Sequence, residues 1–230
     1  MKLYWCRLAP WQQNAQAARD FCRRAEIDVS ALWDDGDLAA HAAGRYLLAH
    51  AWSAAFPGRP MPPVVLTGEG KPVFSGEAPF HWNISHAGGL AVCAAAAFPL
   101  GVDVEEITPV DDDLLARLHP AERLWCRARS DGFFTLWTAK ESLVKSRGEG
   151  LSALLALPPL VREDALCFET DGRFWQPVSI APGYAAAVAA AQPFSAPVPE
   201  EAALPVRDAA GSTAAERDCA AAPARRPREA

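Results

Sequence analysis

Lysine is nearly missing from this sequence: its 230 residues include 18 arginines but only four lysines, Lys2, Lys71, Lys140 and Lys145. A chain that so favours the guanidinium keeps the compact ammonium for places where a point charge is needed. Paired cysteines are missing too. The six cysteines (Cys6, Cys22, Cys93, Cys126, Cys167 and Cys219) contain no CxxC, which argues against thiolate metal clusters and predicts reduced thiols. Apolar runs such as AVCAAAAF fall far short of the ~20 residues that span a bilayer. The first residues, MKLYWCRLAPWQQ, have neither the apolar segment nor the cleavage site of a secretory leader. Positive charge is also scarce: the net charge of -6 argues against a nucleic-acid backbone as main partner. These absences predict a cytoplasmic protein with no membrane and no nucleic-acid partner. It can hold an anion only where positive charge is locally concentrated.

What is present reads as ordinary globular material, half hydrophobic and 22% charged. Two stretches follow one order of elements. A strand, LYWCRL, precedes two helical segments, NAQAARDFCRRAEI and DLAAHAAGRYLLAHAWSAAF, then a turn-rich stretch and the strand pair HWNISHAGGLAVCAAAA. A second strand, LGVDVEEI, precedes helices at PAERLWCRARS and FFTLWTAKESLVKSR, then the strands CFETDGRFWQPVSI and GYAAAVAA. Both halves read as strand, helices, antiparallel strands. The expectation is an α+β molecule with pseudo-twofold duplication, a first half over 1–100 and a second over 101–194. From 195 to 230 the chain is rich in Ala, Pro and charge, and is expected to be a disordered tail.

Four places carry chemistry. In GVDVEE, a strand's two-residue period puts Asp103 and Glu105 on one face, with Val102 and Val104 on the other. Paired carboxylates repel unless a cation joins them, and oxygen-only ligands suit Mg2+; the same alternation also describes a solvated strand edge. In the helix beginning at Phe133, Glu141 and Lys145 are i, i+4 neighbours, either a surface ion pair or a third carboxylate with a phosphate-facing lysine. HWNISH gathers Asn83, Ser85 and His86 at the entry to a strand. GEGKP sets Lys71 beside the rigid Pro72, where glycines permit close backbone approach. The Asp111-Asp112-Asp113 run reads as a solvated loop.

Taken together and in order, Lys71-Pro72, Asn83-Ile84-Ser85-His86, Gly101-Val102-Asp103-Val104-Glu105 and Trp137-Thr138-x-Lys140-Glu141-Ser142-x-x-Lys145 resemble the Sfp-type 4′-phosphopantetheinyl transferases. The resemblance runs from about residue 1 to 190, with Asp103 and Glu141 separated by 38 positions. It implies that family's duplicated α+β fold and a monomer, one chain supplying both halves of the site. It also implies transfer of the 4′-phosphopantetheine arm of coenzyme A, as co-substrate, onto a serine of an apo acyl, peptidyl or polyketide carrier protein. By the same resemblance Asp103, Glu105 and Glu141 hold Mg2+, with Mn2+ as the alternative ion. Glu141 is the first choice for the base, with Glu105 and Lys145 as the other catalytic candidates. Lys71, Pro72, Ser85, His86, Lys140 and Arg45 fall to coenzyme A.

Two departures stand out. Ala87 replaces a serine that many relatives carry after the histidine. Ala40 and Ala49 occupy positions near Gly44 where relatives carry basic residues for the 3′-phosphate, leaving Arg45, His41 or His50 as substitutes. Two other functions remain to be separated by experiment: a non-catalytic coenzyme A- or carrier-binding module, and a Mg2+-dependent phosphoesterase.

Overall fold

The computed structural model describes residues 1–30, 34–68, 71–78 and 80–205. Strand β1 (Lys2–Arg7) leads into α1 (Ala9–Gln12), α2 (Ala15–Arg24) and the long α3 (Asp35–Ala55). A short hairpin, β2 (Val64–Leu66) and β3 (Pro72–Phe74), precedes β4 (His81–Ala87), β5 (Leu90–Ala96) and β6 (Leu100–Glu106). Helices α4 (Asp112–Ala116), α5 (Pro120–Arg127) and α6 (Gly132–Arg147) follow, then a 3-10 turn (Leu151–Ala156). The short strands β7 (Val161–Arg162), β8 (Ala165–Leu166) and β9 (Glu169–Thr170) lead to β10 (Arg173–Pro177), β11 (Tyr184–Ala190) and β12 (Pro199–Glu201). The result is a mixed α+β architecture with two four-stranded sheets, ordered β12-β1-β5-β4 and β6-β11-β10-β9.

The period of two along each strand decides how these sheets stack. On β1 and β5, Tyr4, Cys6, Ala91, Cys93 and Ala95 turn toward α3 and its neighbours. The alternate residues Leu3, Trp5, Leu90, Val92 and Ala94 turn the other way and meet Leu100, Val102, Val104, Ala186 and Val188 of the second sheet. On β11 the remaining residues, Ala187 and Ala189, lie under α6. The small side chains of β5 and β11 let a helix approach one face of each strand and a sheet the other. Asp103 is on β6 between Val102 and Val104, so it belongs to the face covered by α6.

Two glycines set helix-to-strand distances. A Cβ on Gly44 in α3 would come within 2.7 Å of the Ile84 side chain. A Cβ on Gly101 would run into the Ser142 carbonyl oxygen and sit 2.5 Å from the Ser146 amide nitrogen. Hydrogen at Gly101 is what allows the backbone of α6 to lie against β6. Helix ends are capped locally: Asn14 accepts from Ala17 N–H and Asp34 from Asp37 N–H, and α6 stops at Gly148 in the left-handed region (φ 77°). The acidic run is not a loop: Asp111 accepts from Leu114 N–H at 2.8 Å and caps α4, where Asp112 and Asp113 occupy the first turn.

The expected disorder from residue 195 is corrected by the strand at its start. Pro199–Glu201 pair in parallel with β1, Ala202 N–H donates to the Trp5 carbonyl at 2.8 Å, and Ala202 and Leu204 are buried. Trp11 Nε1 and the Tyr46 hydroxyl donate to the Pro205 and Ala203 carbonyls. Composition pointed the wrong way because few apolar residues suffice when the open edge of β1 supplies the hydrogen bonds. Residues 206–230 of the expected tail lie outside the described residues. Ending the chain after Ser195 is therefore expected to lower Tm by roughly 5–10 °C. That figure counts one buried leucine and the lost edge pairing as about 3 kcal/mol, and thermal melting of the shortened chain checks it.

Candidate functional site

Edge strands of the two sheets run side by side here, joined by side chains rather than by a backbone ladder. Asn83 on β4 accepts from Val102 N–H at 2.8 Å. Two residues on, Ser85 Oγ donates to Asp103 Oδ1 at 2.7 Å. Over this seam lies α6, with Glu141 and Lys145 one turn apart on its inward face. Lys145 Nζ pairs with Asp103 Oδ1 at 2.5 Å and Glu141 Oε2 at 3.3 Å, and donates to Ser85 Oγ at 3.0 Å.

Asp103, Glu105 and Glu141 each offer an oxygen within 4.8 Å of the others. Three carboxylates against one ammonium leave a formal charge of -2 in a mostly buried place. Asp103 is 1% exposed, and its Oδ2 is buried with no hydrogen-bond partner. A buried carboxylate oxygen without a partner, on one of three clustered carboxylates, is what a hard divalent cation can satisfy, so this donor set fits such an ion. The titration behaviour agrees. Burial pushes the Asp103 carboxyl upward, opposed by Lys145 and reinforced by Glu141. Burial, together with Asp103 and Glu141, raises Glu105 to about 7, opposed by Lys145 and by the nearby Trp137. Protons take up charge that a cation would otherwise balance.

The sign of the linked effect follows. Glu105 rises from its ordinary 4.5 to about 7 on folding, so between those values the folded state holds more protons than the unfolded one. The stability of the metal-free protein therefore falls as pH rises through that window. A divalent cation must displace those protons, so its apparent affinity rises with pH over the same range. Calorimetric titration of Mg2+ in two buffers of different ionisation enthalpy should show net proton release at pH 6 and none at pH 8.5. No release at pH 6 would contradict the ligand assignment.

The other expected site residues are placed as follows. Lys71 donates to the Lys145 carbonyl at 3.0 Å, a cation at the C-terminal turn of α6. Burial, with Arg173 nearby, lowers its pKa. Pro72 opens β3 and is exposed. A groove of about 700 Å³ lined by Lys71, Asn83, Lys145, Arg147, Gly148 and Glu149 has Lys145 in common with the carboxylate cluster. His86 lies within electrostatic reach of Lys145, which together with burial lowers its pKa, and His41 is lowered by burial and by Arg45 and His86. Lys145 and Arg45 thus place positive charge beside His86 and His41, which with burial favours the neutral imidazoles. Ala40 and Ala49 are buried in α3 and bring no charge there. His50 is stacked edge-on against Tyr4, with ring centroids 5.0 Å apart.

Lys140 departs from expectation. It does not join the carboxylate cluster; its ammonium pairs with Glu122 Oε1 at 3.1 Å, and both side chains are buried. The physical reason is azimuth: consecutive helical residues point about 100° apart, so if Glu141 faces β6, Lys140 cannot. Sequence reasoning missed Glu122, although H-P-x-E at 119–122 has the spacing of a capping box, which the structure forms. It also missed that Asn83 ties the two sheets together.

Comparison with known proteins bears on this geometry. Residues 99–181, which contain the whole carboxylate cluster, match the family model described as the 4′-phosphopantetheinyl transferase superfamily. The chain resembles the Sfp-type 4′-phosphopantetheinyl transferases. It is 39% identical over 98 residues to the 4′-phosphopantetheinyl transferase psf-1 of Bacillus pumilus, covering 37% of this chain and 39% of that one. A 4′-phosphopantetheinyl transferase of Bacillus subtilis is 38% identical over 89 residues, 36% of this chain and 40% of the relative. The longer match is to the 4′-phosphopantetheinyl transferase ffp of Bacillus subtilis, 32% identical over 149 residues, 54% of this chain and 61% of that one. The chain thus spans about two fifths to three fifths of the length of these relatives. Among the described residues, no helix of this phosphopantetheinyl-transferase-like chain is long and apolar enough to cross a membrane.

Proposed function

We propose that this protein is an enzyme that transfers the 4′-phosphopantetheine arm of coenzyme A to a serine hydroxyl of an apo acyl, peptidyl or polyketide carrier protein, giving holo carrier and 3′,5′-ADP. The single observation that carries the reading is the cluster of Asp103, Glu105 and Glu141 beside the Lys145 ammonium, with Asp103 Oδ2 buried and unpartnered. Its support is the family match over the same residues.

In this reading Asp103, Glu105 and Glu141 hold Mg2+ or Mn2+. The ion, when bound, neutralises pyrophosphate charge and polarises the phosphorus under attack. Glu141 takes the serine proton as the serine oxygen forms its bond to the phosphorus that carries the pantetheine arm. The bond from that phosphorus to the bridging oxygen breaks, and its electrons leave on 3′,5′-ADP. Lys145 is an ammonium held by two carboxylates, so it donates rather than accepts and meets the growing charge on the departing phosphate. Ser85 orients both Lys145 and Asp103. Lys71 and Arg45 supply positive charge for the phosphates of coenzyme A, His86 offers an imidazole N–H to them, and Pro72 contributes shape beside them.

The pseudo-twofold duplication belongs to the same reading, with halves at 1–100 and 101–194. Its support is that β1-β5-β4 and β6-β11-β10 have the same neighbour order and antiparallel senses, each covered by one long helix. The seam residues then come from both halves of one chain, consistent with a monomer working in the cytoplasm. The distinguishing assay follows 3′,5′-ADP with coenzyme A and Mg2+, with and without apo carrier. Carrier-dependent release supports transfer. Coenzyme A consumed without carrier would indicate a phosphoesterase, and coenzyme A bound but intact in both arms would indicate a binding module.

A further inference from the structure

Glu122 is wholly buried, and its carboxylate joins three segments. Oε2 accepts from His119 N–H at 3.1 Å at the start of α5. Oε1 accepts from Leu160 N–H at 2.8 Å, just before β7, and pairs with Lys140 in the middle of α6 at 3.1 Å. A buried ion pair gains little over well-packed apolar residues, so its presence asks for a reason other than stability.

The packing of α6 supplies one. Buried residues fall on several sides of this helix, including Phe133, Phe134, Leu136, Ala139, Leu143 and Val144. Apolar contact alone therefore discriminates weakly between rotations of α6 about its axis. The Gly101 contact, made to backbone atoms of Ser142, Lys145 and Ser146, fixes how close α6 comes to β6 but engages no side chain that would set a direction. A directional pair at Lys140 does, and Glu141 is the next residue, its direction set about 100° away.

We infer that the Glu122–Lys140 pair is a positioning device that sets the rotation of α6, so that Glu141 and Lys145 face Asp103. Lys140 and Glu122 act through Glu141 and touch neither substrate nor ion. This rests on the metal-site reading above, and the experiment separates the two. Mn2+ binding to the full chain is titrated calorimetrically, without coenzyme A or carrier, for wild type, Lys140→Met, Glu122→Gln and the double variant Glu122→Leu/Lys140→Met. Thermal melts are recorded on each.

The apolar double variant is expected to melt near wild type yet bind Mn2+ roughly tenfold more weakly, the loss typical of a disturbed outer-shell partner. A purely structural pair would instead have Mn2+ affinity recover together with Tm. Unchanged affinity in folded variants overturns the inference while leaving the metal reading intact. Loss of the folded state in all three variants would make the pair a stability element and overturn it as well. A wild type that binds no Mn2+ would remove the metal reading, and this inference with it.

Discussion

Asp103→Asn is expected to lower turnover by a factor of about 10²–10³ while leaving Tm no lower than that of wild type. The activity loss follows from removing one of three carboxylates around the cation and the partner of Lys145, since loss of one preorganised electrostatic group commonly costs about 10²–10³. The stability half of the result comes from burial. Burial raises the Asp103 carboxyl above its ordinary range, so the metal-free fold at neutral pH bears the cost of a charge it disfavours. Asparagine keeps the shape and one acceptor for Ser85 and Lys145, and Lys145 retains Glu141 at 3.3 Å. Adding Mg2+ should raise the Tm of wild type by ligand linkage and leave that of the variant unmoved. A variant with near-normal turnover, or one stabilised by Mg2+ as much as wild type, would remove Asp103 from the site.

Gly101→Ala should damage fold and site together. The added methyl meets the Ser142 carbonyl oxygen, the Ser146 amide nitrogen at 2.5 Å and the Lys145 carbonyl carbon at 3.0 Å. These are backbone atoms of α6, so no side-chain rotation relieves the clash, and the helix must move away from β6. Overpacking of this kind costs roughly 1–3 kcal/mol, about 3–10 °C in Tm for a domain of this size. A displacement near 1 Å also separates Glu141 and Lys145 from Asp103, and misplacement on that scale costs about 10² in rate. The two effects should appear together in melting and turnover assays on the purified variant. An alanine variant with wild-type Tm and turnover would show that β6 and α6 are not in contact at Gly101.

Much of the site was legible because strand and helix periods are rigid rulers. The alternation in GVDVEE placed Asp103 and Glu105 on one face, and the i, i+4 spacing placed Glu141 beside Lys145, as the structure shows. Lysine scarcity pointed to the right stretch of α6 but not to the job of each residue. Lys140 sits in the same motif as Lys145 and turns the other way, because its partner Glu122 lies 18 positions earlier on a different helix. Spacing within one element cannot reveal a partner on another. The same limit hid the Asn83 link to Val102, and the strand after Ser195, whose hydrogen bonds come from β1. Composition could not register an edge waiting to be paired. The α+β class was readable for the opposite reason: every major strand and helix is a local pattern.

The most direct test of the proposed transfer is intact mass spectrometry of an apo carrier protein incubated with this protein, coenzyme A and Mg2+, alongside the same mixture with EDTA. The expected result is a mass gain of one phosphopantetheine arm on the carrier serine, absent with EDTA and absent with the Asp103→Asn variant. A carrier mass that stays unchanged across acyl, peptidyl and polyketide carriers, with coenzyme A recovered whole, would contradict it.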